Sequence, residues 1–264
     1  MHVTELTSRL SLLAGPHHNQ SKELKVKPNM KNNILLGLSV LMTGSLLAAE
    51  STPKDAVAAA AKKLGESTNY AWKTVFVVPD DAPFKPGPTE GKTEKDGFTG
   101  FTMSFSDNKT QVMIKGDQRA VTDQDGNWKS VAELEKEEGP GRFFAMIVRN
   151  LKVPAKEAAE IASFAKDLKQ EGDVYSSDLT EEGAKTLQTF GPRSGDGGPS
   201  ISNAKGSVKF WLKEGALIKY EFKLKGTIKW GDNEFPNERT TTIEIKDVGT
   251  TKLEVPEAAK KKLI

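Results

Sequence analysis

Residues 216–230 read ALIKYEFKLKGTIKW, and this stretch decides the fold of the chain. Apolar and polar side chains alternate along it, and Gly226 interrupts the alternation. A period of two residues predicts a β-strand with one buried and one solvated face, and the glycine predicts a bend. Fifteen extended residues would span about 50 Å, longer than most strands. The apolar face would carry Ile218, Tyr220, Phe222, Leu224, Ile228 and Trp230.

The segments on either side repeat this alternation. Val208, Phe210 and Leu212 precede the turn Glu214-Gly215, while Thr241, Ile243 and Ile245 follow the long strand. Three such strands in succession predict an antiparallel sheet with one wet face and one apolar face. The apolar face has to be covered, so the sequence must also supply helices.

The first half of the chain predicts further strands. Residues 70–78 carry Tyr70, Trp72 and Phe76 at alternate positions, and a later run carries Phe101, Met103 and Phe105. Between these runs, residues 79–97 contain several prolines and glycines, which predicts a long loop. Short strands are expected at 111–115 and 118–122, and Gln124-Asp125-Gly126-Asn127 predicts a hairpin turn into Trp128.

Helical patterns lie at the start and in the middle of the chain. Residues 54–65 (KDAVAAAAKKLG) are rich in helix formers, with Thr52 or Ser51 available as a cap. Residues 141–151 (GRFFAMIVRNL) are apolar on most sides, and Pro154 opens a helix with the stripe Ala158, Ile161, Ala165 and Leu168. A strand at 173–178 and a helix at about 180–190 follow, and Gly191–Pro199 predicts a flexible loop.

The first 49 residues predict an export segment rather than part of the fold. Residues 31–49 combine a basic start, an apolar run from Ile34 to Leu47 and a small-residue end, which is the layout of a signal peptide cleaved after Ala49. The run is shorter than the roughly 20 residues that span a bilayer. We therefore expect a periplasmic or secreted protein that does not span the membrane. Residues 1–29 are interpreted as a mis-called extension before a start at Met30, the alternative being a long natural n-region.

Composition argues against most catalytic chemistry. The 264 residues contain no cysteine, and the three histidines (His2, His17, His18) all precede Ala49. The segment before Glu50 also holds five of the 38 basic and two of the 36 acidic residues, which leaves 33 and 34. A chain without His or Cys has no Ser-His-Asp triad, no imidazole base and no thiolate or imidazole metal site. The balanced charge does not favour nucleic-acid binding. We expect no enzyme activity, no cofactor and no metal.

Short motifs add little to this interpretation. Ser51-x-x-Lys54, Ser202-x-x-Lys205 and Ser106-Asp107-Asn108 match elements of penicilloyl-serine enzymes, but no Lys-Thr-Gly follows. Residues 123–127 (DQDGN) weakly resemble a calcium loop, although the twelfth position is Leu134 instead of a glutamate. A hairpin turn explains that segment better.

Two surfaces leave alternatives open. The lysines of the 216–230 strand form either an anionic-ligand or membrane-surface patch, or a solvated face that discourages edge pairing. The aromatic stripe is either ordinary core or the lining of a cavity, which an incompletely filled, curved sheet would leave.

The order of elements resembles a known family. An N-terminal helix, long strands, a central helical insertion and more long strands occur together with residues 126–129 (GNWK), 217–220 (LIKY) and 243–247 (IEIKD). This pattern is similar to the LolA-like superfamily of periplasmic lipoprotein carriers and the related LppX/LprG lipid-binding proteins. The sequence does not by itself identify the inward arginine with which the carriers hold a lid, and it lacks the anchoring cysteine of the mycobacterial relatives.

The resemblance implies an α+β fold for residues 50–264: a strongly curved antiparallel sheet, or open half β-barrel, with helices packed on its concave face. It also implies a lipid or lipoprotein acyl chain as ligand. Its lining residues would be Tyr70, Trp72, Phe76, Phe101, Met103, Phe105, Phe210, Ile218, Tyr220, Phe222, Leu224, Ile228 and Trp230. Phe143, Phe144 and Ile147 would lie on a plug or lid helix.

The alternative function is a structural or interaction protein of the cell envelope with the same fold and a filled core. We expect a monomer in either case, with an envelope protein as the other conceivable partner.

Overall fold

The computed structural model describes residues 51–82, 85–94, 96–105, 108–137, 140–189 and 200–264, without the side chains of residues 105, 108, 140, 143 and 230. The predicted segments 1–29, 30–49 and Gly191–Pro199 lie outside these residues. The described helices are α1 (Pro53–Glu66), α2 (Val131–Leu134), α3 (Pro140–Arg149), α4 (Pro154–Phe164), α5 (Glu181–Gln188) and α6 (Glu257–Lys260). The described strands are β1 (Asn69–Val77), β2 (Thr89–Glu94), β3 (Phe98–Phe105), β4 (Asn108–Lys115), β5 (Gln118–Thr122), β6 (Trp128–Ser130), β7 (Lys169–Glu171), β8 (Val174–Asp178), β9 (Ser200–Lys213), β10 (Ala216–Trp230) and β11 (Asn233–Lys246).

The described strands form a single antiparallel sheet in the order β6-β5-β4-β3-β2-β1-β11-β10-β9-β8-β7. Its first and last strands, β6 and β7, do not pair with each other, so the sheet stays open. The predicted fold class is confirmed: the chain is α+β, with an open, curved antiparallel half-barrel and helices against its concave face.

The three long strands form the centre of the sheet. β10 pairs with β11 without interruption from Lys219 to Trp230, and with β9 along nearly its whole length. β1 pairs with β11, so the first and last described strands in chain order lie side by side. Gly226 lies at a register shift between β10 and β9, in agreement with its predicted bend.

The helices begin where the sequence provides caps. In α1, the Thr52 hydroxyl accepts a hydrogen bond from Asp55 N at 3.1 Å, and the Asp55 carboxylate accepts one from Thr52 N at 3.2 Å. Pro154 occupies the first turn of α4, where its missing N–H costs nothing. The Thr180 hydroxyl accepts from Gly183 N at 3.0 Å and starts α5.

Two apolar clusters fill the concave side of the sheet, which we call the inner face. The larger one joins α1, α4 and α5 to β1 and β8–β11. The smaller one joins α2 and α3 to β3, β4 and β5, and includes Val112, Val121 and Val148. A third cluster lies on the opposite, outer face, where Ala259 and Leu263 of the C-terminal segment cover Met113 and Ala120.

Two predicted boundaries were wrong. The predicted loop 79–97 contains β2, whose Glu90 to Thr93 pair with β3; its prolines cluster before Thr89 and leave the strand itself free of them. α4 ends at Phe164, so Ala165 and Leu168 do not continue its stripe. Ala165 instead forms a β-bridge with Leu179, which turns the chain toward β7 and β8.

Replacement of Gly91 should destabilise the fold. A Cβ atom there would lie 2.2–2.6 Å from ring atoms of Trp72, which covers this glycine across the strand pair. We expect Gly91→Ala to lower the free energy of unfolding by about 1–3 kcal/mol, the usual cost of overpacking. Urea unfolding measures this.

The matched control for that experiment is Gly65→Ala in α1. A Cβ there would contact Ala155 at an ordinary 3.5 Å, and alanine favours a helix over glycine by about 1 kcal/mol. Equal stability of Gly91→Ala and the unmodified protein would contradict the observed packing of Trp72.

Candidate functional site

The predicted ligand-binding residues lie on the inner face because the strand registers align them. One cross-strand row runs Trp72, Gly91, Phe101 and Val112, on β1 to β4. A second row runs Tyr175, Phe210, Tyr220 and Ile243, on β8 to β11. The alternation read from the sequence therefore places these side chains on one surface.

Most of the predicted residues are buried in this surface. Tyr70, Trp72, Phe210, Tyr220, Phe222 and Leu224 belong to the larger cluster, and Phe101 and Ile228 pack against it partly buried. Phe76 is half-buried. Ring centroids lie 5.9 Å apart in Tyr70–Trp72, 6.1 Å apart in Trp72–Phe101 and 6.3 Å apart in Phe210–Tyr220. These two groups of stacked or tilted rings, together with the apolar residues of α1 and α4, belong to one cluster, and we call the rings the aromatic surface.

The remaining predicted residues fall into three groups: those at the smaller cluster and on α3, those whose side chains are not described, and Ile218. Met103 belongs to the smaller cluster, against which Phe144 packs from α3, while Ile147 is half-buried on the same helix. Of the predicted lid residues, Phe144 therefore covers the smaller cluster on β3 to β5. The side chains of Phe105, Phe143 and Trp230 lie outside the described residues.

The prediction that Ile218 lies on the apolar face was wrong. It is 42% exposed, although the alternation placed it beside Tyr220. The β9–β10 register shifts between Leu217 and Lys219, so Ile218 occupies a bulge and Leu217 is buried instead. A bulge adds one residue to a strand and reverses the alternation locally.

A polar contact attaches α4 to the aromatic surface. The Tyr220 hydroxyl donates to Glu157 Oε2 at 2.6 Å and approaches the Pro154 carbonyl oxygen at 3.3 Å. Burial raises the pKa of the Glu157 carboxyl, since the carboxylate loses hydration, while the Tyr220 bond and the charge of Arg239 oppose this rise. Burial and the neighbouring Glu157 carboxylate raise the pKa of Tyr220 well above its ordinary value.

A second set of polar contacts attaches the end of α5. Arg239 Nη2 donates to the Leu187 carbonyl oxygen at 2.8 Å, and Asn237 Nδ2 donates to Gln188 Oε1 at 2.9 Å. A cation at a helix C-terminus is favourable because the last carbonyls carry partial negative charge. Gly226 leaves space for the Gln188 amide, since a Cβ atom there would lie 2.9 Å from Gln188 Oε1.

These polar residues were missed in the sequence, although a signal existed. Asn237 and Arg239 share the parity of Ile243 and Ile245 along β11, which places them on the inner face. Arg239 pairs across the strands with Leu224, and Asn237 pairs with Gly226. Arg239 is thus an inward-facing arginine, which the sequence by itself did not identify.

The apolar surface continues beyond α5. Ile201, Ile228 and Phe235 are paired side by side across β9, β10 and β11, and we call this row the apolar rim. Exposure increases along it: Ile201 is buried, Ile228 is half-buried and Phe235 is 49% exposed. The helical cover therefore ends before the apolar stripe does.

The outer face of the long strands is charged and solvated. Lys223 and Lys225 both contact Glu238, at 2.8 and 3.3 Å, and Lys219 Nζ lies 4.6 Å above the Trp211 ring. β10 has neighbours on both sides, so its lysines do not protect a sheet edge. The solvated-face interpretation fits these pairings, whereas protection of an edge does not.

The motifs do not assemble a catalytic or metal site among the described residues. Ser51, Ser202 and Lys205 are exposed, and Ser106 and Asp107 of the third motif lie outside the described residues. Asp123 Oδ1 accepts hydrogen bonds from the N–H groups of Asp125 and Asn127, which makes residues 123–127 a hairpin turn. In the described ranges, no group of three or more potential ligand side chains is placed to hold a metal ion. Likewise, no helix there has the length and apolar character needed to cross a bilayer.

Comparisons with known proteins find structural similarity. No family model and no curated protein matches the chain. The lipoprotein LppX of Mycobacterium tuberculosis is 10% identical, with 77% of this chain and 98% of that chain covered and a TM-score of 0.44. LprF of Mycobacterium bovis is 10% identical (78% and 97% covered, TM-score 0.41), and a LolA superfamily protein of Nitrosomonas europaea is 11% identical (77% and 95%, TM-score 0.34). The predicted resemblance is thus confirmed as a likeness of fold only.

The Glu157 contact should make stability depend on pH. Because the folded-state pKa is raised above 4.5, the neutral carboxyl stabilises the fold below about pH 4.5, and this contribution is lost as the pH rises through the raised pKa. In Glu157→Gln the dependence should disappear, so that this variant gains stability relative to the unmodified protein as pH rises. Urea unfolding between about pH 4 and pH 8 measures the difference.

Tyr220→Phe serves as the opposite variant. It removes a hydrogen bond that lowers the Glu157 pKa, so the loss of stability should extend to higher pH. A stability difference between Glu157→Gln and the unmodified protein that stays constant over this range would contradict the assignment.

Proposed function

We propose that this protein is an exported, non-enzymatic binding or carrier protein that holds a lipid or lipoprotein acyl chain between the curved sheet and its helices. The observation that carries the proposal is the apolar rim. It lies beside the larger apolar cluster, against which Ile228 packs, and is separated from Leu224 on β10 by Gly226, whose partner Asn237 contacts Gln188; Phe235 is its exposed end. An exposed apolar edge next to a buried apolar surface is a suitable place for an acyl chain to bind first.

The packing of α5 supports access from this end. Gly183, Ala184 and Gln188 are its buried residues, and Leu187 packs partly buried against the larger cluster, so displacement of α5 exposes the apolar side chains of Ala184 and Leu187. Its last turn is held by the Arg239 and Asn237 contacts, which displacement of the helix would break. Movement of α5 would extend the rim toward Leu224 and Phe222, where an acyl chain replaces the helix as cover.

The predicted site residues then have distinct roles in the proposal. Ile228 would meet the acyl chain first, followed by Leu224, Phe222 and Tyr220 as α5 is displaced. Trp72, Phe101 and Phe210 would form the floor farther in. Phe144 and Ile147 would cover the second cluster, away from the point of access.

Export is part of the same proposal. Residues 30–49 would act as a signal peptide, with residues 1–29 as a mis-called extension, and the working protein would be periplasmic or secreted. A chain without histidine or cysteine after Ala49 is consistent with binding as opposed to catalysis.

One observation favours the alternative function, a structural or interaction protein with a filled core. Tyr220, Phe210 and Leu224 are fully buried under the helices. In that case the stripe is ordinary core, and the same fold serves as a rigid envelope module.

Lipid should co-purify with the protein. We expect organic extraction and mass spectrometry of protein purified under mild conditions from its own envelope fraction to reveal bound acyl chains. The purified protein should also bind the fatty acid cis-parinaric acid, measured by its fluorescence. Protein that carries no lipid and does not bind this probe would support the filled-core alternative.

Ile228→Glu should reduce probe binding at least about tenfold, because burial of a carboxylate beside an acyl chain costs more than 1.4 kcal/mol. Ile218→Glu is the matched control: it changes the same residue type in the same strand, but at the exposed bulge. Equal loss of binding in both variants, with unchanged thermal unfolding, would contradict access at the apolar rim.

The start of the working protein is tested separately. N-terminal sequencing of the exported form should begin at Glu50, because Ala48 and Ala49 provide the small residues before the cleavage point. A precursor peptide that contains Leu10 to Gly15 would show that the first 29 residues are translated.

A further inference from the structure

The outer face of β2 to β6 contains a groove that the proposed function does not use. The C-terminal segment covers one part of this face through the third cluster. Beside that covered part, a groove of about 640 Å³ is lined by Glu90, Thr102, Gln111, Thr122, Asp123 and Trp128, among others. It lies on the opposite side of the sheet from the aromatic surface.

Strand register builds this groove from one cross-strand row. Glu90 pairs with Thr102, which pairs with Gln111. Gln111 N donates to the Thr122 hydroxyl at 2.9 Å, and Thr122 pairs with Trp128. Five strands about 4.8 Å apart give a row of roughly 19 Å. The row is long enough for an extended ligand that crosses the strands.

Two side chains of the row, Thr122 and Gln111, can form hydrogen bonds with a ligand. Because the Thr122 oxygen accepts the Gln111 N–H, its own proton remains to be donated outward. The Gln111 side chain is exposed and offers both a donor and an acceptor. The carboxylates at the two ends already have partners, since Glu90 contacts Lys73 at 3.2 Å and Asp123 contacts Lys129 at 3.5 Å.

Trp128 supplies the flat apolar surface at the end of the row. It is half-buried, packs against the third cluster on one side and lines the groove with its remaining surface. A tryptophan fixed in this way loses little side-chain entropy when a ligand stacks on it.

The chemistry of the groove selects among ligand classes. Its lining carries two carboxylates, Glu90 and Asp123, and one lysine, Lys109, which does not favour a phosphate. Its apolar surface is confined to Trp128 and Pro88, which does not suit an acyl chain. It lies on a sheet face, away from the strand edges that bind extended peptides through backbone hydrogen bonds. A row of hydroxyl and amide groups that ends on an aromatic ring matches a ligand with many hydroxyls and apolar C–H faces.

We propose that this outer groove binds a neutral oligosaccharide, with Gln111 and Thr122 as hydrogen-bonding residues and Trp128 as the stacking surface. The sugar chain crosses the strands along the row. This site is separate from the inner face, so its occupancy does not depend on a bound acyl chain.

The full-length exported protein is titrated with the soluble hexasaccharides of cellulose, starch, chitin and mannan, by isothermal calorimetry. At least one should bind. Gln111→Ala should weaken that binding about fivefold, the equivalent of one hydrogen bond near 1 kcal/mol. Trp128→Ala should weaken it about tenfold or more.

The structure offers a matched control at the other end of the same cross-strand row. From Glu90 the row continues through Lys73, Glu244 and Lys219 to Trp211, outside the groove. Trp211→Ala should leave sugar binding unchanged. Since Trp128→Ala also removes packing from the third cluster, Gln111→Ala, at an exposed position, provides the result that does not depend on folding.

Two results would overturn the proposal: no binding to any of the four hexasaccharides, or binding that Gln111→Ala and Trp128→Ala leave unchanged. Cis-parinaric acid binding in Gln111→Ala should match that of the unmodified protein. Loss of sugar binding with intact probe binding thus distinguishes failure at this groove from failure at the inner face.

Discussion

The rest of the structure depends on the apolar face of three long strands, which has to be removed from water. β9 and β10 alternate apolar and polar side chains along most of their length. β11 adds Phe235, Ile243 and Ile245 to a face that also holds its Asn237 and Arg239, so this face is mostly apolar. Burial of apolar area is worth roughly 25 cal/mol per Å², and no single helix covers strands of this length. α1, α4 and α5 therefore share the task, and their positions follow from it.

The sequence predicted those features that follow from local chemistry. Period-two alternation identified β9, β10 and β11, and caps such as Thr52 and Thr180 marked helix starts. β2 was missed because its residues, TEGKTE, contain no apolar alternation; it forms because its backbone joins β1 to β3. The exposed position of Ile218 was missed because a bulge is decided by pairing between strands, which a single strand's pattern does not contain.

Prediction of the candidate site also succeeded for local patterns and failed for contacts between distant residues. The aromatic residues were predicted because their periodicity shows that they share a face. The contacts of Tyr220 with Glu157 and of Arg239 with Leu187 join residues 63 and 52 positions apart in the chain. Such contacts depend on how helices lie on the sheet. Strand parity would have placed Arg239 inside, but only the packed structure shows that it meets the C-terminus of α5.

The composition of the covering helices explains where the cover is weakest. α4 packs onto the sheet with Ala155, Ala158, Ile161 and Ala162, and α1 with Val57 and Leu64 between alanines. α5 has fewer buried apolar residues than either, because its buried residues are a glycine, an alanine and a glutamine, and Leu187 is partly buried. Removal of a helix costs the burial of its apolar side chains plus its polar contacts, and for α5 the second term includes the hydrogen bond from inward-facing Arg239. The buried apolar cover is therefore smallest where α5 stops and the apolar rim begins, and polar contacts hold the helix there.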